Sequence, residues 1–135
     1  MLSQKILIID DDETIKFTFK TFLNESNYSL TFSKNGKEGL EKLTTFKPDL
    51  VIADFKMPEM TGLEFIKASK IICPSIPVII MSAYGDKNTK SQFLEEGAIK
   101  YIEKPFDIEE ILSIIKESIQ HNQSNNDSNS HEFIG

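Results

Sequence analysis

Short apolar runs recur along the chain, each followed by a longer segment whose apolar positions return every three or four residues. Lys5 to Ile9 (KILII), Asp49 to Ala53 (DLVIA) and Pro77 to Met81 (PVIIM) are near-continuous and of strand length, and Tyr28 to Ser33 alternates in the manner of a strand. Ile99 to Glu103 closes the series. Between them, Glu13 to Ser26 carries Ile15, Phe19, Phe22 and Leu23 at the spacing of one helix face. The Asn35-Gly36 turn signal precedes a helix from about Lys37 to Phe46, and Thr61 with Glu64 forms a capping box that opens a helix to Ile72. Lys87 to Glu96 reads as a helix stopped by Gly97. Asp107 with Glu110 opens the last helix, which runs to about His121 with Ile108, Ile111, Leu112 and Ile115 on one face.

This is five β–α units in succession. Continuously apolar strands mean a sheet covered on both faces, and alternation of strand with helix means parallel strands joined by right-handed crossovers. The predicted class is α/β, a doubly wound (βα)5 domain over residues 1–121. Such sheets place their ligands at the carboxyl ends of the strands.

Length and composition narrow the picture without changing it. With 135 residues and 39% hydrophobic content the chain can bury one core. Residues 122–130 are almost wholly Asn, Ser, Gln and Asp, so 122–135 reads as a disordered tail, or a linker to a further domain. Fifteen lysines, no arginine and 21 acids give a net charge of -6, which argues against direct contact with nucleic acid. Cys73 is a lone cysteine at a helix end, which suits a reducing compartment. No apolar run approaches the ~20 residues of a membrane span, and no signal pattern precedes the first strand. The expected location is cytoplasmic.

Chemistry concentrates at the strand ends. Strand one ends in Asp10-Asp11-Asp12, strand three in Asp54, strand four in Ser82 and strand five in Lys104-Pro105. In an open parallel sheet these ends share one edge, so carboxylates, a hydroxyl and an ammonium converge there. Clustered carboxylates are stable together only when protonated, paired or holding a cation. Hard oxygen ligands with room for water favour Mg²⁺ (or Mn²⁺), and such an ion beside a lysine and a hydroxyl makes a cradle for phosphoryl oxygens.

The four stretches ILIIDDDE, DLVIADFKMPEMTGLEF, VIIMSAYGD and YIEKPFDIEEI, spaced by 44, 28 and 22 residues between Asp10, Asp54, Ser82 and Lys104, resemble the receiver domain of two-component response regulators, the CheY-like family. The resemblance spans about residues 4–121 and is closest to stand-alone receivers of the sporulation phosphorelay type. It implies a flavodoxin-like sheet in the order 2-1-3-4-5. It implies that Asp54 accepts a phosphoryl group from phosphohistidine, that Asp11 holds the metal directly and Asp10 mostly through water, and that the backbone carbonyl of Lys56 adds a further oxygen. Ser82 and Lys104 would contact the phosphoryl oxygens. Tyr101 would be the aromatic switch that turns inward with Ser82, and Lys104-Pro105 a cis peptide. Thr14, Ile15 and Thr18, with Pro105 and Phe106, would meet the phosphodonor helix of a sensor histidine kinase or histidine phosphotransfer protein. Lys56 and Tyr84 occupy places where the family tunes the lifetime of the acyl phosphate.

The implied role is a phospho-accepting signalling protein, not an enzyme acting on other substrates, which passes its signal to a partner or relays the phosphate. Two alternatives compete. Asp10-x-Asp12-x-Thr14 also resembles the nucleophile motif of haloacid-dehalogenase-type phosphatases, with Asp10 attacking phosphate and Asp12 as acid and base. That leaves Asp54 and Met57-Pro58 unexplained. The other is a non-phosphorylated interaction module on the receiver fold, although such modules usually lose one of the acids or the lysine that this chain keeps. Asp12 by itself reads as a helix cap.

Overall fold

Apolar side chains at alternate strand positions fall on opposite faces of a sheet, and here each face has its own core. A computed structural model describes residues 4–23, 27–57, 59–83 and 87–120, with the side chains of 87–89 excepted. The elements are β1 (Gln4–Ile9), α1 (Glu13–Phe22), β2 (Tyr28–Ser33), α2 (Gly36–Thr45), β3 (Leu50–Asp54), β4 (Lys56–Met57), β5 (Met60–Thr61), α3 (Gly62–Ile72), β6 (Val78–Ser82), α4 (Lys87–Glu95), β7 (Lys100–Glu103) and α5 (108–120). Ile6, Ile8, Leu50, Ile52, Ile79, Met81 and Ile102 face α1 and α5, where they meet Phe19, Leu23, Ile111, Ile115 and Ile119. Leu7, Ile9, Val51, Ala53, Val78, Ile80 and Tyr101 face the other way, onto Leu43 of α2, Phe65 and Ile66 of α3 and Phe93 of α4. Full burial of each such side chain contributes about 1.5–3 kcal/mol before entropy is counted.

The main sheet is parallel throughout, in the order β2-β1-β3-β6-β7. Setting aside a small antiparallel hairpin of β4 with β5, this is the expected 2-1-3-4-5. The hairpin was not predicted: two residues a side carry no periodicity to read. α1 stops at Phe22, short of the predicted Ser26. Leu23 adopts extended backbone (φ -92, ψ 111) and sinks into the core at 1% exposure, which turns the chain off the helix. Residues 24–26 lie outside the described residues, as do His121 and the tail predicted over 122–135. Asn35 acts as the N-cap of α2, its Oδ1 accepting from the Glu38 N–H at 2.9 Å, so the Asn-Gly signal marks a helix start. The Thr61–Glu64 capping box is present in both directions. Gly97 takes φ +117 after α4, a conformation side chains resist. Among the described residues no helix is long and apolar enough to cross a membrane.

Candidate functional site

Parallel pairing brings the ends of β1, β3, β6 and β7 to one edge, and main-chain hydrogen bonds fix the residues just beyond them. The Asp10 N–H donates to the Ser33 carbonyl at 3.0 Å, Phe55 to Met81 at 2.7 Å and Lys104 to Ser82 at 2.7 Å. Asp10 is nearly buried at 8% exposure, and its Oδ1 accepts the Asp12 N–H at 2.9 Å, which anchors the turn into α1. Asp12 itself caps that helix, its Oδ1 accepting from Thr14 N–H at 2.8 Å. Asp12 is thus the helix cap that its place in the sequence suggests.

Asp10, Asp11 and Asp54 each offer one carboxylate oxygen, and the three atoms lie within 4.8 Å of one another. Lys104 holds this cluster together: its Nζ donates to Asp10 Oδ2 at 3.0 Å and stands 3.4 Å from Asp54 Oδ1. The Asp54 carboxyl is raised above its ordinary value of 3.8, first by burial and then by the Asp10 charge. Lys104 and a hydrogen bond from the Lys56 backbone pull against the rise without cancelling it. Burial alone would lower Lys104, but its contacts with Asp10 and Asp54 outweigh that and raise it. The site therefore carries more negative charge than one lysine balances. A hard divalent cation among three carboxylate oxygens fits that excess, and Mg²⁺ has the required preference for oxygen.

A cavity of about 170 Å³ opens beside Asp54, lined by Phe55, Lys56, Ser82, Ala83 and Lys104. Ser82 is buried at the end of β6, and the Lys56 backbone lies against the Asp54 carboxylate. Lys104–Pro105 is cis, as the resemblance implies. Tyr84 lies outside the described residues. A second, wider groove of about 600 Å³ is lined by Ile15, Thr18, Ala83, Lys104, Pro105 and Phe106. It shares Ala83 and Lys104 with the smaller cavity, so the two adjoin there. Thr14 is exposed on α1, outside this lining, and its carbonyl accepts the Thr18 hydroxyl at 2.8 Å.

Tyr101 is buried at 8% exposure and stacks on Phe93, with ring centroids 5.8 Å apart. Phe93 in turn meets Phe55 edge to face at 5.3 Å. Tyr101 thus occupies an inward position. Sequence reasoning named Tyr101 but missed Phe55 and Phe93, which join it to the residue next to Asp54. The only signal for Phe93 was an aromatic beside Leu94 in a helix that is otherwise polar.

Comparison with known proteins follows the same lines. The family model for the response regulator receiver domain matches residues 6–116. The chain is 40% identical over 116 residues to the sporulation initiation phosphotransferase F of Bacillus subtilis (strain 168), covering 86% of this chain and 94% of that one. It is 38% identical over 116 residues to the DNA-binding transcriptional regulator NtrC of Klebsiella pneumoniae, covering 86% of this chain and only 25% of NtrC. A CheY-like receiver domain protein from Methanospirillum hungatei JF-1 superposes with a TM-score of 0.86 at 28% identity, covering 92% of this chain and 99% of that structure.

Proposed function

Because the chain belongs to the response regulator receiver domain family, we propose that it accepts a phosphoryl group on Asp54 and passes the resulting signal or the phosphate itself to a partner. The observation that carries this is the meeting of Asp10, Asp11 and Asp54 oxygens within 4.8 Å, with Lys104 Nζ bridging two of the three acids. Asp10, Asp11, Asp54 and the Lys56 carbonyl would hold Mg²⁺, whose charge would neutralise the approaching phosphoryl oxygens.

The residues of the chain divide the remaining work. A carboxylate oxygen of Asp54 attacks phosphorus, forming an O–P bond as the N–P bond to the donor imidazole breaks. A carboxylate nucleophile carries no proton and needs no general base. Lys104 then exchanges its contact with Asp54 Oδ1 for a phosphoryl oxygen while keeping Asp10, and Ser82 donates its hydroxyl to another. The main-chain bond from Lys104 to Ser82 couples these two adjustments. Positioning and charge supply most of the rate in such a reaction. The chain acts on itself and has no other substrate.

The donor would be a phosphohistidine on a helix of a sensor histidine kinase or phosphotransfer protein in the cytoplasm. The groove of Ile15, Thr18, Pro105 and Phe106 is apolar, and it adjoins the Asp54 cavity at Ala83 and Lys104. A helix seated there can present its imidazole to Asp54. Phosphorylation would shift the population of arrangements of Tyr101 and Phe93.

Transfer from a phosphorylated partner tests both halves. Asp54→Asn should abolish labelling. Ile15→Lys should slow transfer from the protein donor while sparing phosphorylation by acetyl phosphate. Equal loss with both donors would refute the docking surface, and undiminished labelling of Asp54→Asn would refute the acceptor. Lys56→Ala should change the rate of autodephosphorylation, through altered access of water to the acyl phosphate.

A further inference from the structure

The open edge of the sheet carries a second groove, remote from the phosphoryl site. Among the described residues β2 pairs only with β1, and the register leaves the N–H and C=O groups of Tyr28, Leu30 and Phe32 pointing away from that partner. This follows from the bonds of Asn27 and Ser33: their carbonyls accept from Gln4 and Asp10 on the β1 side, so the intervening alternate residues face outward. Lys42 Nζ donates to the Phe32 carbonyl at 2.8 Å, which leaves the Leu30 pair and the Phe32 N–H on the edge. Tyr28, Leu30 and Phe32 turn half-buried side chains to the α1 face. Lys16 and Lys20 of α1 both reach over the Phe32 ring, at 5.5 and 5.6 Å from its centroid. Together these residues line a groove of about 690 Å³ that is open, aromatic-floored and cationic along one wall.

A free strand edge with such a wall fits an extended segment bearing an acid and an apolar residue two positions apart. A second copy of the same edge is disfavoured, because pairing β2 with β2 brings two sets of lysines together, the device that keeps edges apart. We propose that the segment Glu132–Ile134 of this chain adds to β2 as a short antiparallel strand. Residues 121–135 contain Asp127 and Glu132 and no lysine, and Phe133-Ile134 is the only apolar pair in an otherwise polar run. With Glu132 opposite Phe32, Ile134 falls opposite Leu30 and on the same face, so the carboxylate meets Lys16 and Lys20 and the isoleucine covers Leu30.

The path is long enough. α5 is described as far as residue 120, on the α1 side of the sheet, its Ile119 sharing a core with Phe19 and Leu23. Crossing the width of α1, about 10–12 Å, and climbing β2, about 17 Å, needs less than the roughly 36 Å that eleven extended residues span. Tethering keeps the local concentration of the segment high, so modest contacts suffice.

Amide hydrogen exchange in the full chain tests this. The Leu30 and Phe32 amides should exchange roughly tenfold more slowly than in a Glu132→Lys, Ile134→Asp variant, with the β1 amides unchanged as a control for folding. Lys16→Glu with Lys20→Glu should remove the protection, and adding Glu132→Lys to that pair should restore part of it. Equal exchange at Leu30 and Phe32 in the full chain and the Glu132→Lys, Ile134→Asp variant overturns the proposal. So does protection that rises with protein concentration, which would assign the edge to a second copy.

Discussion

At Asp54, burial and the neighbouring Asp10 charge both favour the protonated form, and Lys104 only partly offsets them. A carboxyl whose folded-state pKa is raised binds its proton more tightly in the native protein than in the unfolded chain. Stability therefore falls as pH rises from the ordinary carboxylate value through the raised one. Asp54→Asn removes the charge and keeps the shape, so without a divalent ion its Tm at pH 7 should exceed that of the parent by a few degrees. Below pH 3.8, where both forms are neutral, the difference should vanish. Thermal scans at both pH values check this, and a lower Tm for Asp54→Asn at pH 7 would contradict it. Lys104 is the converse case. Its raised pKa means that its contribution persists up to the ordinary lysine value of 10.5 and is lost as pH climbs through the raised one. Lys104→Met leaves Asp10 with a 2% exposed side chain and no cation. Because Lys104 and Asp54 keep some contact with solvent, the expected loss is roughly 2 kcal/mol, less than the ~3–5 kcal/mol of a fully buried pair, as measured by urea denaturation.

Elements are where the sequence was most legible, and where its limits have clear causes. The core strands were readable because both faces are buried, which leaves an apolar run that only a covered parallel sheet explains. The capping box at Thr61 was readable because two local hydrogen bonds need no tertiary partner, and Thr61→Ala should cost about 1 kcal/mol in a denaturation curve. Gly97 was legible as a stop, while the contact it makes was not: a Cβ there would lie 2.9 Å from Lys70 Cε, on a backbone with φ +117. Gly97→Ala should accordingly destabilise the protein by roughly 1–2 kcal/mol. Hidden from the sequence were features too short to carry a pattern or made by residues far apart in the chain. The β4–β5 hairpin is too short to carry a pattern, and the end of α1 depends on Leu23 finding room in the core. The resemblance gave Lys104 a phosphate to bind, but only the fold reveals that it first binds Asp10 and Asp54. Likewise Tyr101 was named from its place near Lys104, while its inward packing depends on Phe93 in another element.

For the molecule as a whole, one edge of the sheet collects the charge while two apolar cores hold that edge rigid. The acids at this edge repel one another, and relief comes from a cation, a proton or a phosphoryl group bound with its cation. Mg²⁺ should thus raise the Tm of the parent chain, with a gain that follows ion concentration by mass action. Asp11→Asn should lose most of that gain while leaving the Tm in chelator unchanged or higher, since Asp11 is exposed and its charge adds only repulsion. The most direct test of the central claim, that these side chains form one phosphoryl-accepting site, is mass spectrometry after incubation with acetyl phosphate. One added phosphoryl group, mapped to Asp54, is expected in Mg²⁺ and none in chelator or in Asp54→Asn. Labelling at any other residue, or labelling of Asp54 that is indifferent to the ion, would contradict it.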